Sequence, residues 1–298
     1  IILALTYCTT GIAQDINLPD FGSRADSVLN KTEETQIGRR AFMQLRSSGA
    51  IMDDAIVTEY IKSLGAQLVG HASDGTQEFD FFMVDNDAIN AFAMPGGFIG
   101  IHAGLIMASE NESEIAGVLA HEIAHVTQRH LARRVYDNQK TGMLSMAAAI
   151  ATMILGATTD IRGDAIGGLV TATQAAAMQR QINFTRANEH EADRIGIRTL
   201  SSAGFDPSGM GTFFEKLSRR YGSSGPAMLR THPVTTERIA EARDRARLLP
   251  SQRVDSSVNY EIIKARVDVL RAPSGEAAFD TFRTRVQEEN QNIGNHYG

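Results

Sequence analysis

The sequence predicts an α+β fold, mostly helical, with a small sheet beside one helix that carries the chemistry. Three observations predict it. From Glu110 onward, apolar residues recur at helical spacing over most of the chain. Ahead of that region, residues 79–84 and the run AINAFAMPGGFIGI at 88–101 read as short apolar strands, the second run folded around Pro95-Gly96-Gly97. No tandem repeat is visible at a solenoid period, and 298 residues are enough to bury a sizeable core without a disulfide scaffold.

The first residues stand apart. Residues 1–13 carry no charge and end in Gly11-Ile12-Ala13, so small residues precede Gln14 at the positions a signal peptidase reads. The segment is expected to be the remnant of an export signal, the other reading being a short buried strand or helix. Cys8 is the only cysteine, so a chain starting near Gln14 has no thiolate nucleophile, thiolate metal site or disulfide. Residues 15–29 read as an extended lead-in, and 33–47 and 53–68 as helices. After Pro250 the composition turns polar, with 255–257 as a linker and helices at 260–270 and 276–287. The expected division is a catalytic domain over 14–250 and a polar helical extension over 251–298.

Composition excludes several function classes. An apolar fraction of 43%, a charged fraction of 21% and a mean hydropathy of -0.17 describe neither a disordered chain nor a polytopic membrane protein. A net charge of -6, the absence of Trp and the lack of a basic run argue against nucleic acid as a partner. Residues 141–159 form an uncharged stretch of 19 residues. Its many small side chains favour a buried helix or a flap near the site over a membrane span, with peripheral membrane contact as the other reading.

Residues 121–125 read His-Glu-Ile-Ala-His. Positions i and i+4 lie about 40° apart around a helix and about 6 Å apart along it. Both imidazoles, His121 and His125, can therefore reach one zinc ion from one face, and Glu122 is placed to take a proton from a water that the metal acidifies. Asn111 to Glu114 is a plausible capping box, and Ile115, Leu119, Ile123 and Val126 form an apolar stripe with the motif on its flank. Zinc needs another ligand. Glu189 and Asp193 are also i and i+4, so one can ligate while the other accepts a hydrogen bond from a ligand imidazole; a solvated acidic helix face is the bland alternative. His232, in Thr231-His232-Pro233, sits at a corner set by the proline. It reads as a fourth ligand in a resting state, a stabiliser of the oxyanion, or an ordinary capping or core residue. His71, His102, His130 and His296 show no partner spacing. His130 is read as lying far along the same helix as His121, outside any metal site.

The segments HEIAHVTQRH at 121–130, NEHEADRIG at 188–196 and THPVTTERI at 231–239, preceded by NAFAMPGGFIGIHAGLI at 90–106, together resemble the M48 family of zinc metallopeptidases, and within it the bacterial periplasmic branch. The resemblance covers about residues 35–248. It implies a zincin-like metalloprotease domain with one Zn2+ per chain. His121, His125 and Glu189 would be the metal ligands, Glu122 the general base, Asp193 the residue orienting a ligand, and His232 the regulatory or transition-state histidine. An edge strand at Gly97, Phe98, Ile99 and Gly100 would pair with an extended substrate by strand addition. The resemblance further implies a periplasmic endopeptidase acting on unfolded or misassembled envelope proteins, with the outer-membrane barrel assembly machinery as partner. Its alternative is an assembly chaperone with a gated zinc site. Relatives of this kind carry a tetratricopeptide-type helical array, of which 265–291 shows no full repeat.

Overall fold

The computed structural model describes residues 24–72, 77–137, 186–222, 226–250, 254–289 and 292–298, and elements are numbered among these. Residues 1–13 and the uncharged stretch 141–159 lie outside them. The chain enters through a 3-10 turn at Arg24–Ser27, where an extended segment was expected. Helix α1 (Lys31–Ser47) begins at Asn30 with a reciprocal capping box: the Glu33 N–H donates to the Asn30 side chain, and the Asn30 N–H donates to the Glu33 carboxylate. Helix α2 (Ala55–Val69) begins at Asp54, whose carboxylate accepts from the N–H groups of Ile56 and Val57.

Strands β1 (Asp80–Val84), β2 (Ala91–Met94) and β3 (Phe98–His102) form one sheet in the order β1-β3-β2. β1 runs parallel to β3 and β2 antiparallel to it. The turn between β2 and β3 needs its glycines: Gly96 and Gly97 adopt φ of 76° and 85°, and a Cβ on Gly97 would lie 2.1 Å from the Glu78 carbonyl oxygen. Alternate strand residues face two cores, which is why the strands are apolar almost throughout. Phe81, Met83, Ile99 and Ile101 pack in the main core with α2. Phe82, Phe92, Met94 and Phe98 pack against Ala41 and Leu45 of α1.

This topology corrects the expected substrate edge. Phe98, Ile99 and Gly100 lie on the central strand, paired with Asp80 to Phe82 on one side and with Phe92 to Met94 on the other, while Gly97 sits in the turn. Their backbone groups are spent in the sheet. The edge strands are β1 and β2, and β2 is the one packed against the helix that carries the His-Glu-Ile-Ala-His motif. The Asn90 carbonyl accepts from the His102 N–H, so antiparallel alternation turns the N–H and C=O of Ala91 and Ala93 away from β3.

Helix α3 (Ala103–Ala108) leads to α4 (Glu112–Thr127), which carries the His-Glu-Ile-Ala-His motif. Asn111 caps α4 by accepting from the Glu114 N–H, but the box does not close, because Glu114 instead accepts from the Glu110 N–H and from Lys216 Nζ. The apolar stripe underestimates the burial: every residue from Glu112 to Thr127 is buried. α4 is walled in by β2, α2, α6 (Arg186–Ser202) and α7 (Gly209–Tyr221). Glycines permit the close approach, since a Cβ on Gly196 of α6 would come within 3.0 Å of the His121 nitrogen. After α4 the helix does not continue. Arg129 adopts φ of 51° and starts a separate helix α5 (His130–Asp137).

The chain continues through α8 (Ala227–Thr231), α9 (Thr236–Arg247), α10 (Val258–Arg271), α11 (Gly275–Glu288) and α12 (Ile293–Tyr297). Helix α10 is tied to the rest by polar contacts despite its polar sequence. Ser257, expected in a linker, caps α10 and donates through both N–H and hydroxyl to Glu112 at 2.8 and 2.9 Å. Arg266 donates to both oxygens of Asp54 at 2.9 and 2.8 Å, and Arg271 pairs with Asp85 and Asp87. Among the described residues, no helix is long and apolar enough to cross a membrane.

His102 closes β3 in a buried, apolar setting. Its ring packs edge-on to Phe92, Nδ1 has no hydrogen-bond partner among the described residues, and burial holds its pKa down at about 4. An unfolded histidine takes up a proton near pH 6.5 but the folded one does not. This stabilising contribution is therefore complete above pH 6.5 and is lost as pH falls toward 4, amounting to about 3 kcal/mol. The His102→Gln protein is expected to lose less unfolding free energy than wild type between these pH values in denaturant titrations. Identical pH dependence would refute the assignment.

Candidate metal centre

Four side chains from three regions converge inside the molecule. His121 and His125 come from successive turns of α4, Glu189 from the first turn of α6, and His232 from the corner between α8 and α9. All four are buried, at 0 to 2% exposure, so their polar atoms must satisfy one another or a bound ion. His121 Nε2 lies 3.0 Å from His125 Nε2, 3.3 Å from His232 Nδ1 and 3.5 Å from Glu189 Oε2. Glu189 Oε1 lies 3.5 Å from His125 Nε2 and 3.2 Å from His232 Nδ1.

These separations are close to those between ligands of one ion, and the four candidate ligand atoms all lie within 4.8 Å of one another. With ligand bonds of about 2.0–2.1 Å, the edge of a regular tetrahedron is about 3.3 Å. The protons tell the same story. His121 Nδ1 is 2.9 Å from Asp193 Oδ1, and a ring that donates there turns a lone pair toward the cluster from Nε2. Two imidazole nitrogens facing each other at 3.0 Å with an adjacent carboxylate form a site for a cation. The donor set, three imidazoles and one carboxylate without thiolate, suits zinc among divalent metals.

The acids of α6 divide their work by direction. Glu189 faces the cluster, and Asp193, one turn on, reaches the far side of the His121 ring. Behind both stands Arg238, which the sequence reading did not single out. Its guanidinium forks onto Asp193 at 2.7 and 2.8 Å, reaches Glu189 Oε2 at 2.9 Å and donates to the Pro233 carbonyl at 2.8 Å. It therefore connects the α6 acids to the corner that carries His232. The available signal was its context: a buried acidic pair needs a cation, and Arg238 is on the helix that follows His232.

Electrostatics follow from these contacts. Burial opposes the ionised form of Glu189, but His232 and His121 outweigh it and hold its pKa well below the usual carboxylate range. Burial likewise opposes charge on Asp193, and Arg238 and His121 overcome it. Burial also disfavours a charged His121, yet Asp193 and Glu189 keep its pKa up at about 9. His125 is pushed well down, by burial first and by the neighbouring His121 charge second. Glu122 is fully buried between them, neither oxygen has a hydrogen-bond partner among the described residues, and His232 Nε2 stands 3.5 Å from Oε1. An ionisable group kept buried and unbonded beside a cation site is poised to bind a reacting molecule.

The remaining histidines correct one expectation. His130 does not lie far along α4. The break at Arg129 folds it back, so that His130 Nδ1 is 2.8 Å from His125 Nδ1 and Nε2 is 3.1 Å from Glu191 Oε2. His190 points away from the cluster and pairs with Glu241 of α9. The edge strand β2 runs beside the site: Ala93, Met94, Pro95 and Gly96 line a small groove together with His125 and Arg129.

The chain is similar to several known proteins. The chain is 45% identical over 251 residues to the beta-barrel assembly-enhancing protease of Escherichia coli, covering 84% of this chain and 51% of that protein. It is 42% identical over 257 residues to the beta-barrel assembly-enhancing protease of Yersinia pestis, covering 86% and 52%. It is 30% identical over 190 residues to the metalloprotease LoiP of Escherichia coli, covering 63% and 71%. The chain thus spans about half the length of the two assembly-enhancing proteases. Residues 55–246, which include every residue of the cluster, match peptidase family M48, and the chain belongs to that family.

Proposed function

We propose that this protein is a zinc-dependent endopeptidase of the bacterial cell envelope. The observation that carries the reading is the buried convergence of His121, His125 and Glu189 with Glu122 unbonded beside them. In this reading the first three hold one Zn2+, and Asp193, backed by Arg238, orients His121. The metal supplies Lewis acidity, lowering the pKa of a bound water and polarising the scissile carbonyl. Glu122 accepts the proton of the attacking water and delivers it to the leaving amine. His232 Nε2, beside Glu122, can donate to the oxyanion once the ring moves off the cluster.

The substrate is an extended polypeptide bound by strand addition to β2, through the outward N–H and C=O groups of the half-buried Ala93. Recognition through main chain tolerates many sequences, which suits unfolded outer-membrane barrel proteins whose strands have not yet paired. The names of the relatives support that substrate class and the barrel assembly machinery as a partner. Together with the uncharged run at 1–13, they support a periplasmic location.

The test is zinc stoichiometry and cleavage of an unfolded protein such as casein, for wild type and Glu189→Gln. One zinc per chain and chelator-sensitive cleavage are expected in wild type, with both lost in the variant. A wild type that binds no zinc ends this reading, and full retention of zinc in Glu189→Gln removes Glu189 from the ligand set.

A second reading is favoured by one observation: His232 Nδ1 already lies 3.2 and 3.3 Å from the two Glu189 oxygens. With His232 as fourth ligand the site is closed at rest, and the protein acts as an assembly chaperone whose peptidase is gated. X-ray absorption showing four protein ligands and no water, with barrel assembly rescued by Glu122→Gln, would favour it. A water in the fourth position would exclude it.

A further inference from the structure

We infer that His130 is a positioning residue for His125, and that Glu191 anchors it, so that each imidazole of the α4 pair is oriented by an acid of α6. The inference rests on the reading of the cluster as a metal centre. His125 turns Nε2 toward the cluster, 3.0 Å from His121 Nε2 and 3.5 Å from Glu189 Oε1. A ring that binds metal through Nε2 keeps its proton on Nδ1. That Nδ1 lies 2.8 Å from His130 Nδ1, so His130 must accept there and carry its own proton on Nε2. Nε2 in turn lies 3.1 Å from Glu191 Oε2, and Arg133 donates to the same oxygen at 2.9 Å. Protons therefore point one way along the chain, from His125 through His130 to a carboxylate.

The arrangement parallels that of the other ligand. His121 Nδ1 meets Asp193 directly, with Arg238 behind the acid; His125 meets Glu191 through an intervening imidazole, with Arg133 behind the acid. Glu191 and Asp193 both belong to α6, the helix that also brings Glu189. His130 is fully buried, so water cannot readily replace it as the acceptor. Its place depends on the turn at Arg129. On a continuous helix, position i+5 would lie about 140° around the axis and face away. The φ of 51° at Arg129 ends α4 and returns His130 to the His125 ring. Arg129 is held in that conformation by Asp26, the Leu29 carbonyl and Glu34.

The test is zinc affinity by chelator competition, with the visible spectrum of the Co(II)-substituted protein as a second readout. His130→Phe keeps the ring volume but cannot accept from Nδ1–H, and is expected to weaken zinc binding roughly 10- to 100-fold and to shift the cobalt bands. His130→Asn places an amide oxygen near the former Nδ1 and is expected to restore affinity to within about threefold of wild type. Glu191→Gln, at a partly exposed position, is expected to weaken binding by a smaller factor. Metal-free melting temperatures separate these effects from general loss of fold. His130→Phe that binds zinc within about twofold of wild type, with an unchanged cobalt spectrum, overturns the inference. If His130→Phe does not fold, Glu191→Gln decides, and an unaltered affinity and spectrum there overturn it. A wild type that binds no metal instead overturns the metal-centre reading itself, so the two failures are distinguishable.

Discussion

Glu122→Gln is expected to yield a folded protein that retains zinc and loses peptide hydrolysis by a factor of about 100 to 10,000, the range that a positioned general base contributes. The change is nearly isosteric, and Glu122 makes no hydrogen bond among the described residues that its replacement would break. Removing a buried carboxylate that makes no hydrogen bond among the described residues is expected to leave stability unchanged or slightly raised. The measurements are metal content, thermal melting and the rate of casein cleavage for the two proteins. Cleavage at the wild-type rate with zinc bound would falsify the assignment of Glu122 as base and with it the hydrolytic mechanism. Loss of zinc would place Glu122 in the ligand set, which the geometry does not, since the four converging atoms belong to His121, His125, Glu189 and His232.

Arg238→Ala is expected to be the most damaging change to stability outside the hydrophobic core. The guanidinium is 2% exposed and serves Asp193, Glu189 and the Pro233 carbonyl at once. Truncation leaves two buried carboxylates without the cation they share, and breaking a buried pair in this way costs about 3–5 kcal/mol. For a domain of this size that corresponds to a fall in melting temperature of roughly 10 °C. Zinc should recover part of the loss, because an ion bound by the native state replaces some of the missing positive charge. The effect therefore has a signature beyond instability: the difference in melting temperature between zinc-loaded and metal-free protein should be larger in the variant than in wild type. A variant that melts within about 2 °C of wild type would show that the fork onto Asp193 contributes little.

Much of the site could be read before folding was considered. The spacing of His121 and His125 puts two imidazoles on one helical face because an α-turn has fixed pitch. The same argument paired Glu189 with Asp193 on α6, and both pairs now face each other. Which acid turns to the cluster was open, since i and i+4 share a face and only the packing of α6 against α4 sets its rotation. The helices α1, α2, α10 and α11 and the strand β1 lie where the sequence pattern places them, because that signal is local.

Other features depend on contacts that no local pattern encodes. The family resemblance implies an edge at Gly97 to Gly100. Whether a strand is central or peripheral depends on which others pair with it, and β3 is enclosed by β1 and β2. His130 was dismissed because helical spacing was extended through Gln128 and Arg129. The break there needs a left-handed backbone at an arginine, held by Asp26 and Glu34 about 100 residues earlier in the chain. The apolar stripe of α4 marks one buried face with the motif on its flank, yet the helix is buried all round: polar residues on it meet acids and histidines from other segments.

By itself the sequence determined the chemical inventory: two imidazoles and a carboxylate on one turn, two acids on another, and a histidine held at a corner by Pro233. The tertiary structure decided which atoms face inward, which strand is central and which lie at the edges, and that Arg238 and His130 stand behind the cluster. The physical reason is range. Helix pitch and capping act over a few residues, whereas convergence to 3.0–3.5 Å depends on the packing of α6 and the His232 corner against α4.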